Sequence, residues 1–114
     1  MDEREMIRRW VETWRRAGPE LEAIWRREVR ETDNVLAYYH TRPFWPVHIV
    51  VIPKRHISSL LTLEETDNAL LIELLCVVRE VAKEVLAEHG ACRVLTNLGH
   101  YQDSKHLHWH VSFG

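Results

Sequence analysis

A chain of 114 residues is long enough for one domain with a hydrophobic core. Hydrophobic residues make up 46% and charged residues 28%, a balance typical of a globular protein. The formal net charge of -2 provides no bulk attraction to nucleic acid or to an anionic membrane, so neither partner is expected.

Targeting and redox features favour a cytoplasmic protein. The first residues are acidic and contain no apolar run, so no signal peptide is expected. No stretch approaches the roughly eighteen apolar residues that a membrane span requires. Cys76 and Cys92 are predicted to be small buried hydrophobes rather than a disulfide framework.

The first part of the chain, residues 1–33, is predicted to be a helical segment. Residues 4–17 carry apolar side chains at helical spacing, and Gly18-Pro19 marks a break. A second helix is expected from Pro19 to about Arg30, and Thr32 to Asn34 form a turn signal. Residues 34–114 then form the main domain, within a single compact unit overall.

Strands in adjacent pairs, separated by one long helix, predict an α+β fold with an antiparallel sheet. Residues 35–39 and 47–52 predict a hairpin. A helical pattern follows from a capping signal near Thr62 or Thr66 to His89, with Gly90 as its stop. Two further strands are expected at residues 91–96 and from His106 onward.

The last strand alternates histidines with apolar residues, a period of two. His106, His108 and His110 therefore share one face of the predicted strand. The opposite face, directed to the core, consists of Leu107, Trp109, Val111 and Phe113.

Three imidazoles on one face suit two kinds of site. Alternate histidines on a strand can bind zinc and leave one position open for water. A histidine held as the right tautomer can instead attack phosphorus, while its neighbours donate protons and neutralise phosphate charge. The polar loop from Asn97 to Ser104 could cradle such a phosphate.

Two segments resemble the signature of the histidine triad (HIT) family. Gln102 stands four residues before the first histidine of His-x-His-x-His, as in that signature. Residues 46–57 read PVHIVVIPKRHI and resemble the family's Pro-x-His-φ-Leu-Val-Ile-Pro-Lys-x-His-Ile, where φ is hydrophobic. The resemblance covers roughly residues 34–114. It implies a HIT-like antiparallel sheet with one long helix, in a homodimer that binds purine nucleotides.

The resemblance also implies an activity: hydrolysis of a nucleotidyl P–N or P–O–P bond at the α-phosphate, with no cofactor or metal required. His108 would be the nucleophile that forms a nucleotidyl-histidine intermediate, and His106 would orient it. His110 would bind phosphate and assist proton transfer, with His48 as a fourth histidine beside the triad. The implied nucleotide- and phosphate-binding residues are Asn97, Gln102, Ser104 and His40.

Two adjacent positions depart from the family pattern. Tyr39-His40 stands where many members have His-Asp, and that acid holds the ribose hydroxyls. His40 is the candidate for this role, with the nucleoside preference left open. The departure motivates one alternative, a catalytically weak nucleotide-binding or scaffold protein. The three histidines on one face motivate the other, a zinc-binding protein with three histidine ligands.

Overall fold

The computed structural model describes residues 28–114. Its helix and strands follow in the order β1 (Glu28–Glu31), β2 (Val35–Tyr39), β3 (Val47–Pro53), α1 (Asn68–His89), β4 (Arg93–Thr96) and β5 (Trp109–Phe113). The predicted helical pair lies outside the described residues, except for the end of its second helix. There the prediction is wrong, because residues 28–31 pair with β2 as an edge strand and Val29 packs against the core.

All the described strands form one antiparallel sheet in the order β1-β2-β3-β5-β4. The predicted hairpin is present as β2 and β3, which stay in register along their length. Between β3 and β5, Val50 lies opposite His110 and His48 lies opposite Ser112. Because alternate residues share a face, His48 and His110 are diagonal neighbours on one side of the sheet.

Helix α1 covers the other side of the sheet. The apolar residues at helical spacing in the sequence predict a buried stripe of Leu70, Leu74, Val77, Val78, Val81 and Val85. All of them are buried except Leu70, which is half-buried. The helix ends where Gly90 takes a left-handed φ of 82°, a conformation that glycine adopts without a Cβ clash. It begins later than the capping signal at Thr62 suggested, because 3₁₀ turns at Leu60–Thr62 and Glu65–Asp67 precede it.

The core lies between α1 and the sheet, and it fixes the direction of the histidines. Leu107, Trp109 and Val111 all belong to this core. His108 and His110 alternate with these residues, so they project away from α1. Packing of these apolar residues against α1 thus determines which side of the sheet carries the histidines.

One carboxylate on α1 holds the turn between β1 and β2. Glu73 accepts hydrogen bonds from Thr32 Oγ1 at 2.5 Å, from the Asn34 backbone N–H at 3.0 Å and from Asn34 Nδ2 at 2.9 Å. A nearly buried ion pair between Lys54 Nζ and Glu31 Oε2, 2.5 Å apart, adds a link from β1 to the end of β3. The Glu73 contacts anchor the outer edge of the sheet to the helix.

Candidate active site

The three histidines near the end of the chain are buried, with exposed fractions of 3% for His106, 5% for His108 and 7% for His110. The predicted strand over all three is wrong at its start, because β5 begins at Trp109. Before that point the backbone has other partners: the Leu107 N–H donates to the Ile57 carbonyl at 2.6 Å. Each imidazole consequently has its own set of neighbours.

The ring of His108 is oriented by the backbone of His106. Its Nδ1 lies 2.7 Å from the His106 carbonyl oxygen. Since a carbonyl oxygen only accepts hydrogen bonds, the neutral ring carries its proton on Nδ1 and its lone pair on Nε2. The hydroxyl of Thr96 on β4 donates to the His108 carbonyl at 2.7 Å and fixes the backbone beneath the ring. This tautomer is the one that a nucleophilic Nε2 requires.

The ring of His106 is enclosed by carbonyl groups. Its Nε2 lies 3.0 Å from the Pro53 oxygen and its Nδ1 lies 3.2 Å from the Ile57 oxygen. The exposed His56 ring stacks on it, with 5.6 Å between centroids. Burial lowers the pKa of His106 to about 3, although the two carbonyl groups favour the charged ring. His106 is therefore neutral near pH 7 and donates through one nitrogen.

A backbone N–H sets the direction of a hydrogen-bonded histidine pair. The Phe44 N–H donates to His48 Nδ1 at 3.1 Å, so the neutral His48 ring carries its proton on Nε2. That nitrogen donates to His110 Nδ1 at 2.7 Å, which leaves the His110 proton on Nε2. Burial, together with repulsion from neighbouring histidines, lowers the pKa of His48 and of His110 to about 4 each. Both rings are thus neutral near pH 7, as this arrangement requires.

The proton positions in this pair leave the Nε2–H of His110 as a donor that needs an acceptor. His110 Nε2 is buried and has no hydrogen-bond partner within residues 28–114. A buried N–H without a partner is costly, so such groups usually meet a ligand or an ordered water. The ring of His108 lies beside that of His110, with 4.9 Å between centroids at an interplanar angle of 75°.

His110 borders a cleft of about 570 Å³, a size suited to a small organic ligand. The lining residues are His40, Arg42, Phe44, Trp45, His48, Asn97, His100, Tyr101, Asp103 and His110. The cleft thus brings together four of the residues expected from the sequence: His40, His48, Asn97 and His110. Its mixture of imidazole, guanidinium, amide and aromatic groups suits a ligand with both charge and a flat apolar part.

Gln102 and Ser104 lie in the loop before the triad, and both are buried. The Gln102 side chain already donates from Nε2 to the Ser58 carbonyl at 2.6 Å, which ties this loop to the segment after β3. His106 also lies against backbone rather than along the cleft wall. None of these three residues lines the cleft, and neither does His108, in contrast to Asn97 and His40.

Trp45 is the main residue of the site that sequence reasoning missed. Its ring lies edge-on to His48 at 4.8 Å and to His110 at 6.3 Å between centroids. The Arg93 guanidinium on β4 lies 5.7 Å from the centroid of the Trp45 ring, which holds the indole in place. The only sequence signal was an aromatic residue between two prolines, which indicates a loop but not the surface that the loop covers.

Within residues 28–114, no three histidine, cysteine, aspartate or glutamate side chains are grouped in a way that could hold a metal ion. The His106 ring is directed to two carbonyl oxygens, so it does not converge with His108 and His110 on one point. Each helix found in residues 28–114 is too short or too polar to span a lipid bilayer.

Comparison with known proteins shows which family the chain resembles. The HIT domain family model matches residues 23–112. An uncharacterized HIT-like protein of Synechococcus elongatus is 39% identical over 87 residues, which span 75% of this chain and 76% of that protein.

Solved structures of similar proteins have the same fold. A HIT family hydrolase from Legionella pneumophila superposes with a TM-score of 0.69 at 29% identity, covering 77% of this chain and 80% of its own. A hypothetical histidine triad nucleotide-binding protein from Sulfolobus tokodaii gives a TM-score of 0.67 at 31% identity, covering 75% of this chain and 58% of its own. The family match spans the cleft and all of the described sheet except its last residue, Phe113, and the chain therefore belongs to the HIT family.

Proposed function

We propose that the protein is a nucleotide-binding hydrolase that cleaves a nucleotidyl P–N or P–O–P bond at the α-phosphate. The observation that carries the proposal is the buried His110 Nε2–H, which has no partner among the described residues and borders the cleft beside His108. Relatives described as a HIT family hydrolase and as a hypothetical histidine triad nucleotide-binding protein support the hydrolase and nucleotide-binding parts of the proposal. The proposed reaction uses side chains alone, without a cofactor.

In the first step, Nε2 of His108 attacks the α-phosphorus. A P–N bond to the ring forms as the bond to the leaving group breaks, and the electron pair of the broken bond departs with the leaving nitrogen or oxygen. The ring gains positive charge, which strengthens its Nδ1–H hydrogen bond to the His106 carbonyl. Because this bond is stronger in the charged state than in the resting state, it favours the transition state over bound substrate.

In the second step, water attacks the phosphorus of the nucleotidyl-His108 intermediate and passes a proton to His110 Nε2, which replaces the proton that His110 gave to the leaving group in the first step. The P–Nε2 bond breaks, its electron pair returns to the imidazole, and a nucleoside monophosphate is released. The same hydrogen bond to the His106 carbonyl then restores the starting tautomer of the ring.

His110 is proposed to bind the phosphoryl group through Nε2–H and to assist proton transfer to the leaving group. The bond from His48 Nε2 to His110 Nδ1 holds the neutral ring with its proton directed away from His48. A donor already oriented toward developing negative charge needs no rearrangement during the reaction.

The remaining expected residues are proposed to position the nucleotide. Asn97 and His40 line the cleft and can reach a ligand directly. Ser104 and Gln102 are proposed to act on the phosphate and the leaving group from the preceding loop. Because one N–H of the Gln102 amide is engaged by Ser58, a contact with phosphate would use the other.

A homodimer is proposed from the exposed edge of the sheet. β4 is the last strand in the order β1-β2-β3-β5-β4, and Val94 on it is 45% exposed. An unpaired strand edge with an apolar side chain is a template for pairing with a second strand. Ile72 and Leu75 on α1 are also exposed and extend the available apolar surface.

The decisive experiment measures release of AMP from adenosine 5′-phosphoramidate by the purified protein. His108→Ala should lower turnover by about 1,000-fold or more, because the nucleophile is removed. His89→Ala is the matched control, since this histidine lies at the end of α1 and stacks on Phe113. Mass spectrometry of protein denatured during turnover should find a nucleotidyl adduct on His108.

Other results would support the alternatives. Binding of AMP without turnover of phosphoramidates or dinucleoside polyphosphates would favour the weak nucleotide-binding or scaffold protein. Stoichiometric zinc in the purified protein, lost on mutation of His108, would favour the zinc-binding protein and overturn the nucleophile assignment.

A further inference from the structure

The side chain of Trp45 lies against both members of the hydrogen-bonded histidine pair. Its ring centroid is 4.8 Å from that of His48 and 6.3 Å from that of His110, at interplanar angles of 70° and 72°. All three residues line the cleft, yet His48 is only 5% exposed and His110 only 7%. The indole therefore contributes to the burial of the pair beside an open cleft.

Neighbouring groups hold the indole in this position. The Arg93 guanidinium on β4 lies over the ring, 5.7 Å from its centroid, and the face of an indole attracts a cation. Arg93 Nη1 also lies 3.5 Å from Ser112 Oγ and 3.5 Å from the Gly114 carbonyl oxygen. The Phe44 ring stands nearly perpendicular to the indole, with 5.0 Å between centroids. Trp45 thus has contacts both with its own loop and with the edge strand β4.

A hydrogen bond between two neutral imidazoles can run in either direction. Here His48 Nε2 donates to His110 Nδ1, because the Phe44 N–H occupies His48 Nδ1. In the reverse direction His110 would carry its proton on Nδ1, and its Nε2 would be an acceptor that repels a phosphate oxygen. A water molecule beside the pair would supply the hydrogen bonds that the reverse direction lacks. Exclusion of water therefore favours the form of His110 that can donate to a phosphate.

Exclusion of water also keeps the pair neutral. Burial is the largest cause that lowers the pKa of His48 and of His110 to about 4 each. Repulsion from His108 acts in the same direction on both rings, and His40 adds to it at His48. The carboxylate of Asp103 acts in the opposite direction on His110. An indole against the pair adds to the burial without adding a charge of its own.

We propose that Trp45 is a positioning residue for His110: its side chain keeps water from the His48–His110 hydrogen bond, so that His110 stays neutral with its proton on Nε2. Trp45 itself takes no part in making or breaking bonds. The consequence for the rate rests on the proposed function, in which His110 Nε2–H binds the phosphoryl group. The proton position does not depend on that function, so the two can be tested separately.

Nuclear magnetic resonance of the protein with ¹⁵N-labelled histidine, at pH 7, tests the proton position directly. Long-range ¹H–¹⁵N spectra distinguish a protonated ring nitrogen from a bare one, and the spectrum of His110→Gln identifies the His110 signals. We expect a protonated Nε2 and a bare Nδ1 at His110, and a His48 Nε2–H that exchanges slowly with water. A His110 proton on Nδ1, or rapid exchange of the His48 proton, would overturn the inference without any change at Trp45.

Variants identify the group responsible. Trp45→Ala should give a mixture of the two His110 tautomers at pH 7, and it should raise the pKa of His110 above about 4. Trp45→Phe keeps an apolar ring and should restore most of the native spectrum. Phe44→Ala is the matched control, because it removes a neighbouring ring that is 81% exposed and keeps the backbone N–H, so its His110 signals should match the native ones. Native tautomers in Trp45→Ala would contradict the proposed role.

Turnover of adenosine 5′-phosphoramidate at pH 7 measures the consequence for the reaction. Trp45→Ala should lower kcat/KM by about 10-fold or more, and Trp45→Phe should recover most of the loss. Full activity in a Trp45→Ala protein with mixed tautomers would remove Trp45 from the reaction. If the native protein turns over no nucleotide but its tautomers respond to Trp45→Ala, the proposed function fails and the positioning of the His110 proton by Trp45 stands.

Discussion

The buried ring of His106 should make the protein sensitive to acid in a way that one substitution can reveal. Its pKa is about 3 in the folded protein against an ordinary value of 6.5, mainly because burial penalises the charged ring. The neutral ring therefore contributes stability that is fully present above pH 6.5 and is lost as the pH falls toward 3. Over that range the unfolded chain binds one more proton at this site than the folded chain.

The magnitude follows from the two pKa values. Each pH unit between 6.5 and 3 removes about 1.4 kcal/mol of unfolding free energy at this histidine. Lowering the pH from 7 to 5 should therefore cost about 2 kcal/mol at His106, beyond what other groups lose. That is a large share of the 5–15 kcal/mol or so typical of small domains.

The substitution His106→Gln removes the titrating group and keeps an amide donor for the Pro53 carbonyl. Urea unfolding at pH 7 and pH 5, followed by tryptophan fluorescence at one protein concentration, measures the loss in each protein. We expect the variant to lose about 2 kcal/mol less than the wild type over this range. Val81→Ala, a cavity in the fully buried part of α1, should lower stability by a similar amount at both pH values.

Equal losses in wild type and His106→Gln would refute this reasoning, because the ring would then titrate alike in the folded and unfolded chains. A smaller loss in the wild type would mean that the two carbonyl contacts outweigh burial and hold the ring in its charged form.

Three further substitutions test separate contacts. Thr96→Val removes the donor to the His108 carbonyl and should lower the unfolding free energy by about 1–2 kcal/mol in urea titrations at pH 7; an unchanged value would mean that water replaces the hydroxyl. Glu73→Ala leaves the polar groups of Thr32 and Asn34 without their acceptor, so it should lower the free energy of unfolding by about 2–4 kcal/mol, measured as a lower Tm in calorimetry. Glu73→Gln should lower the Tm less. Val94→Lys should convert a dimer to a monomer in light scattering, because lysine blocks edge pairing; a monomeric wild type would contradict the proposed assembly.

The elements with strong periodicity could be predicted from the sequence. The β-branched run of β3 predicts a strand, and the apolar stripe of α1 predicts a helix. The structure contains both elements. Strand β1 could not be predicted, since its four residues, mostly charged, gain their conformation by pairing with β2 rather than from local preference.

The same distinction applies to the candidate site: local patterns predicted part of it, and contacts between distant residues determine the rest. The alternation of Leu107, Trp109 and Val111 was enough to predict which way His108 and His110 face. It could not predict the partners of His106, because the Pro53 and Ile57 carbonyls are distant in sequence and reach it only through folding. The contact of Trp45 with Arg93 likewise depends on a loop and an edge strand that meet only in three dimensions.

The donor that sets the proton positions of His48 and His110 belongs to the main chain at residue 44, not to a side chain. The Phe44 side chain itself is 81% exposed and takes no part in that bond. Mutation of residue 44 should therefore leave the orientation of the histidine pair unchanged unless the new residue is proline. Nineteen amino acids supply the same backbone N–H, and proline alone removes it. Substitutions at residue 44 other than proline should therefore change the rim of the cleft while this backbone hydrogen bond stays in place.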